Sequence, residues 1–192
     1  MTVTLETVTG RFVDVTNPDP DTISIEDIGW GLSRMSRFCG HTITVIPYSV
    51  AQHSVFVANE VEVATRGDTR MTMLALLHDA AEVYTGDWPS PVKRIPELRP
   101  HIKALEAKLM NAIYVALGIE PPTDYDEHII KQADRVAQKI EAHAFMPSRG
   151  KDWPDLPEVS LEKLQQFNDP VDSLTAYKMF MKKFNELNIE LE

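Results

Sequence analysis

An imidazole and two carboxylates set within little more than one helical turn of an apolar run constrain this chain most: Leu76-Leu77-His78-Asp79-Ala80-Ala81-Glu82. Residues three and four apart share a helix face, so Glu82 falls beside both His78 and Asp79. Burying these groups among Leu74, Leu77, Ala80 and Ala81 is expensive unless something replaces the lost water. The residue types point to a metal ion as that replacement.

A His-Asp pair supplies two ligands, whereas a hydrolytic metal site takes about three or four from the protein and keeps a position for water. Two other segments offer the remainder. Tyr48 to Ala58 reads as the first turns of a helix with His53 on its inner Val50/Val57 side. Asp126 to His143 carries Ile130, Ala133, Val136, Ala137 and Ile140 at helical spacing, and Asp134 falls inside that stripe. Two histidines and two carboxylates suit Zn²⁺, Mn²⁺, Co²⁺ or Ni²⁺ better than Ca²⁺, which takes oxygen ligands only. His78 and Asp79 stand about 100° apart around a helix, so an ion reached by both sits close to the helix surface, with room on its solvent side for water. Glu82 is placed to take or orient a proton of that water. Asp87, just after Gly86, can reach back to the same pocket to orient water or donate a proton.

With these residues in place the chain resembles the HD-domain metal-dependent phosphohydrolases, whose pattern is a His, a His-Asp pair and a distant Asp, matched here by His53, His78-Asp79 and Asp134. It is most similar to the branch that holds bacterial deoxyribonucleoside 5′-monophosphatases and viral dATP triphosphohydrolases. That branch's longer signature is matched from His78 to Lys93, through Glu82, Gly86-Asp87, Pro89 and Pro91-Val92-Lys93, and the likeness covers roughly residues 25 to 145. The resemblance implies an HD-domain helical bundle and catalytic roles for Glu82 and Asp87. It also pairs Arg37 with Phe38 as grips for phosphate or ribose and for sugar or base, Phe38 standing where the branch commonly has Trp. Arg34, Gly40 and His41 complete that cluster, with His41 taken as a substrate contact. Trp88 is placed to wall the pocket, and Lys93 and Arg94 to meet further phosphates.

The bulk properties exclude several classes. At 192 residues and 43% hydrophobic content the chain reads as one domain, 1–192, with an N-terminal appendage (1–23), a catalytic helical core (24–145) and a loop with a C-terminal helix (146–192). A formal charge of −10 argues against a nucleic-acid surface. No run approaches a membrane span, Met1 to Glu6 lacks signal-peptide character, and a lone Cys39 fits a reducing compartment, so the expected location is the cytoplasm of a bacterium or phage-infected cell.

The expected architecture is all-α with a short N-terminal β element at Val3 to Val13. Ser24 and Asp27 form a capping-box pattern for a helix that carries Ile25, Ile28, Leu32 and Met35 and ends near Gly40. Asp68 or Thr69 caps the His78 helix, which runs to Gly86; Pro89 to Pro96 stays irregular; a helix spans Leu98 to Leu117 and stops at Gly118. Met146 to Pro157 reads as a surface loop, and Asp169-Pro170 starts the last helix, with Val171, Leu174, Tyr177, Phe180 and Phe184 inward. His101, His128 and His143 fall on outward positions. Trp30 and Trp153 read as packing or interface groups.

The leading expectation is a deoxynucleotide phosphohydrolase cleaving between O5′ and the α-phosphorus, with dATP first and triphosphate as product. The alternatives are a 5′-monophosphatase and a non-catalytic nucleotide sensor. One divalent transition metal is expected, with Mg²⁺ accompanying a polyphosphate, and a homo-oligomer.

Overall fold

The computed structural model describes residues 3–151 and 153–191; Met1 and Thr2, part of the segment read above for signal character, lie outside them. Strands β1 (Thr4–Glu6) and β2 (Phe12–Asp14) form an antiparallel hairpin with Leu5 opposite Val13, and Val13 is wholly buried. Among the described residues the other regular elements are helices: α1 (Ile25–Arg34), α2 (Val50–Thr65), α3 (Thr69–Leu76), α4 (Glu82–Thr85), α5 (Ser90–Lys93), α6 (Arg99–Leu117), α7 (Asp124–Phe145) and α8 (Ser173–Leu191), with short 3-10 turns between some of them.

The centre of the bundle is α2, which packs against α1, α3, α7 and α8. Its apolar residues do not keep to one stripe: Val50, Ala51, Val57, Ala58 and Val61 are all buried, as expected of a helix covered on every side. Ser49 caps it by accepting from Gln52 N at 3.2 Å, and the chain leaves through Arg66 in the left-handed region. Asp68 caps α3 by accepting from Met71 N at 2.8 Å, and Gly118 ends α6 at φ 65°. Thr123 and Asp126 close a capping box at the start of α7. Helices α1 and α4 approach closely at Gly31, where a Cβ would stand 1.9 Å from Val83 Cγ2.

Five local expectations are corrected. The Ser24/Asp27 box does not form, because Asp27 is taken by the hairpin: it accepts from Thr7 Oγ1, Thr9 N and Thr9 Oγ1 at 2.8–2.9 Å. Helix α1 ends at Arg34, and Arg37–Gly40 forms a separate 3-10 turn. The His78 segment is not one helix to Gly86. The ring Nδ1 of His78 donates to Ala75 O at 2.8 Å, occupying a carbonyl that a continuing helix needs, and residues 77–81 pass as tight turns before α4 begins. Between Pro89 and Pro96, Ser90–Lys93 makes one helical turn with proline in its first turn. The last helix starts at Ser173 because Asp172 caps it, accepting from Leu174 N and Thr175 N at 3.0 Å each; Leu174 is exposed, and Phe180 and Phe184 face inward.

Candidate active site

Three elements converge at one point. Helix α2 carries His53, wholly buried; the 77–81 turn carries His78 and Asp79; α7 carries Asp134. One ligand atom each from His53, His78 and Asp134 all lie within 4.8 Å of one another. Asp79 Oδ2 reaches the same place, 3.1 Å from His78 Nε2 and 3.6 Å from His53 Nε2. The break after α3 matters here: on a continuous helix neighbouring side chains diverge by about 100°, and the turn lets His78 and Asp79 aim together.

The two imidazoles are prepared for a cation. Ala75 O can only accept, so His78 Nδ1 bears a proton, and Nε2 is the ring atom that faces the site. His53 Nδ1 donates to Glu141 Oε1 at 2.7 Å, which orients that ring in the same sense. Both Nε2 atoms are buried and make no hydrogen bond. They stand 3.1–3.6 Å from oxygens of Asp79 and Asp134 without a formed hydrogen bond, an arrangement costly in itself that fits a divalent metal. Burial and Arg37 lower the proton affinity of His53, but Glu141 and Asp134 outweigh them and raise it to about 9. A proton therefore competes with a cation for that ring.

Glu141 was not singled out in the sequence. It is fully buried and holds His53 with one oxygen and Arg37 Nε, at 3.1 Å, with the other. Burial would raise its carboxyl, yet His53 and Arg37 keep it below its ordinary value. Its signal was present: Glu141 stands two turns after Asp134, beside Ile140 on the same buried face of α7.

Glu82, at the start of α4, is buried, accepts from Lys93 Nζ at 2.8 Å through Oε1, and leaves Oε2 without a partner. Burial first and Asp79 second push its carboxyl up to about 8, with Lys93 opposing. Lys93 also lies 3.1 Å from Glu106 Oε1 on α6, a second carboxylate that sequence reading did not find. Asp87 is raised too, by burial and Asp79 against the pull of Arg37 and Lys93.

Arg37 points inward, to Glu141 and to within 3.7 Å of Asp79, while its own N–H donates to Tyr48 O at 2.9 Å. The next two residues, Phe38 and Cys39, both have φ near +50°, a strained conformation for side chains with a Cβ. That turn sends Phe38 away from Arg37's neighbours and edge-on to Trp153, with centroids 5.7 Å apart. Phe38, exposed His41, Trp88 and Trp153 line one cleft of about 650 Å³ that reaches Asp79, Glu82 and Asp87. Trp88 Nε1 donates to Thr85 O, fixing that wall. His101 and His128 are exposed, His143 is half-buried, and none joins the cluster. Trp30 stacks on Tyr177 at 4.1 Å under Arg34 and is a packing group between α1 and α8.

Residues 30–187 match a family model described as 5′-deoxynucleotidase YfbR-like. The protein YfdR of Escherichia coli (strain K12) is 32% identical over 185 residues, covering 96% of this chain and 95% of its own length. The 5′-deoxynucleotidase VP0926 of Vibrio parahaemolyticus is 32% identical over 121 residues, 51% of this chain and 62% of that protein. The HD phosphohydrolase DatZ of cyanophage S-2L, solved bound to dA and one catalytic Zn²⁺ ion, aligns over 88% of this chain and 98% of its own with TM-score 0.49 and 19% identity.

Proposed function

The chain belongs to the YfbR-like family of 5′-deoxynucleotidases, and on that premise we propose that it hydrolyses deoxyribonucleoside 5′-monophosphates to deoxynucleoside and phosphate. The observation that carries the reading is the meeting of the buried Nε2 atoms of His53 and His78, neither in a hydrogen bond, with Asp134, in the cleft that also holds a buried Glu82 whose Oε2 makes no hydrogen bond. A divalent ion would be held by His53, His78, Asp79 and Asp134, and would supply charge neutralisation at phosphorus and a lowered pKa of water.

The chain's own groups do the rest. Glu82, with a proton affinity near neutrality, takes a proton from the attacking water as its oxygen bonds to phosphorus. The O5′–phosphorus bond breaks, and Asp87, whose carboxyl is raised by burial and by Asp79 against the pull of Arg37 and Lys93, is the proton donor to O5′. Glu82 then passes its proton to solvent and Asp87 takes one back, which restores both carboxyls. Arg37 is spent on Glu141 and Asp79, so it steadies the carboxylates around the phosphate and reaches the nucleotide from the cleft wall. Phe38, Trp88 and Trp153 offer ring faces to sugar and base, and His41 stands at the rim.

Two observations favour a monophosphate over the dATP triphosphohydrolase expected at first. The relative VP0926 is named a 5′-deoxynucleotidase. In addition, the cations at the cleft are already paired: Lys93 with Glu82 and Glu106, Lys131 with Asp134, and Arg94 3.7 Å from Asp155. A β,γ-diphosphate would have to displace those partners. A pure sensor has no need of a buried carboxyl held near neutral pH. Phosphate and triphosphate release from dAMP, dATP and AMP, with and without Mn²⁺ or Co²⁺, tests the reading: dAMP should be the best substrate and phosphate the product. Release of triphosphate from dATP at higher kcat/KM would return the assignment to the triphosphohydrolase.

The homo-oligomer expectation finds support in the strap between the Arg37 turn and α2, where Ile43 and Val45 are 64% and 100% exposed. Light scattering giving a mass near 21.7 kDa would reject it. No helix among the described residues is long and apolar enough to cross a membrane.

A further inference from the structure

Glu82 and Lys93 sit on helices of four residues each, α4 and α5, too short to hold themselves in place. Both pack against α6, a helix of 19 residues that brings Glu106 to the ammonium of Lys93. That ammonium is shared by two carboxylates. It donates to Glu82 Oε1 at 2.8 Å and lies 3.1 Å from Glu106 Oε1, a buried atom that makes no hydrogen bond, so the attraction to Glu106 is one of charge. Glu82 Oε2, also buried, is left without a hydrogen bond. The three side chains line a second cleft of about 760 Å³ between α3, α6 and α7, which Asp79 and Asp134 also border.

We infer that Glu106 is a positioning residue for the general base: by drawing on Lys93 it keeps the ammonium on one oxygen of Glu82 and leaves the other, Oε2, open to the attacking water. The inference rests on the hydrolysis of a 5′-monophosphate argued above. A lysine ammonium is a compact charge with three donors on a flexible stem. Facing a lone carboxylate it is drawn across both oxygens, and there it stands where the water must and neutralises the base on both sides. A second carboxylate 3.1 Å away competes for the same charge and holds it short of Oε2. The side chains of Glu82, Lys93 and Glu106 are 5%, 32% and 25% exposed, so water and salt screen this competition only in part. Were Glu106 only an anchor between α5 and α6, its loss would lower stability and leave the base as it is.

Glu106→Gln keeps the size of the side chain and removes its charge. The test compares the parent, Glu106→Gln, Lys93→Met and the double variant as Mn²⁺-loaded proteins on dAMP, in steady state and in single turnovers, which still read slow variants. Elemental analysis gives the metal content, and a crystal structure of Glu106→Gln gives the place of Lys93. Glu106→Gln is expected to keep its ion and the KM of the parent, to lose about 10–100-fold in rate, the scale for a displaced reacting group, and to show Lys93 Nζ across both oxygens of Glu82. On the Lys93→Met background the same substitution is expected to cost nothing further, because the group it acts through is gone. A parent-like rate in Glu106→Gln would overturn the inference, as would a lost ion, a rise in KM alone, Lys93 still on Oε1 alone, or a loss on the Lys93→Met background as large as in the parent. A parent that releases no phosphate from dAMP sinks the monophosphatase reading and this role with it, whereas an active parent with an indifferent Glu106→Gln sinks the role alone.

Discussion

Glu82 and Glu141 are both buried carboxyls within the site, and their neighbours drive them in opposite directions. Glu141 has a histidine and an arginine and stays ionised; Glu82 has Asp79 near it and only a shared lysine, and its proton affinity rises to about 8. A folded value above the unfolded one, about 4.3, means that the contribution of Glu82 to stability is complete at low pH and is lost as pH rises through about 8. Glutamine is neutral throughout. In chelator-treated protein, Glu82→Gln should therefore gain Tm relative to the parent between about pH 5.5 and pH 8.5, by fluorimetry; parallel curves would contradict the raised carboxyl. In the metal-loaded enzyme the same variant should keep its ion and lose about 10²–10⁴-fold in kcat, the range for an acid-base group. Glu141→Gln removes the acceptor charge behind His53 and should weaken metal binding by about 10–100-fold. Competition with a chromogenic chelator measures that loss, and an unaltered affinity would reduce Glu141 to an ion-pair partner of Arg37.

At the scale of elements, the site depends on where helices stop. The pause after Leu76 aims His78 and Asp79 together, and the left-handed pair Phe38-Cys39 turns one residue of the Arg37 turn inward and the next toward the cleft. Glu82 sits on a helix of only four residues, α4, too short to hold itself, so its position comes from packing on α1. The closest approach is Gly31 against Val83, the residue after Glu82. Gly31→Ala should lower stability by about 1–3 kcal/mol through overpacking and depress kcat by shifting α4. Gly29→Ala is the control, since its Cβ would meet the flexible Met181 Sδ at 3.0 Å and the Tyr177 ring at 3.2 Å. Equal effects of the two on kcat would disconnect the α1–α4 contact from catalysis. The ends of elements were the hardest features to foresee, because each was decided by a competitor distant in sequence or by a side chain turning back: the hairpin claimed Asp27, and the His78 ring claimed Ala75 O.

For the whole molecule, the proposed ion joins α2, the turn after α3, and α7, three segments that the unfolded chain does not hold together. An ion that binds the folded state alone stabilises it by about 4 kcal/mol at a thousandfold excess over Kd, and at this size each kcal/mol moves Tm by about 2–4 °C. Mn²⁺, Co²⁺ or Zn²⁺ should thus raise the Tm of chelator-treated protein by about 10 °C, a response that His78→Ala and Asp79→Ala should lose. By itself the sequence determined the helical bundle, because apolar spacing at 3.6 residues and terminal signals such as Asp68 and Gly118 act within a few residues. It also brought forward His53, His78, Asp79 and Asp134 as candidate ligands, since only an unusual compensation lets a histidine and two carboxylates sit in such a run. The tertiary structure alone decided the partners: Glu141 behind His53, Glu106 behind Lys93, and the second cleft behind the metal ligands. Those depend on distances between α2, α5, α6 and α7, and the separation of residues along the chain carries no information about how far apart packed helices bring their side chains.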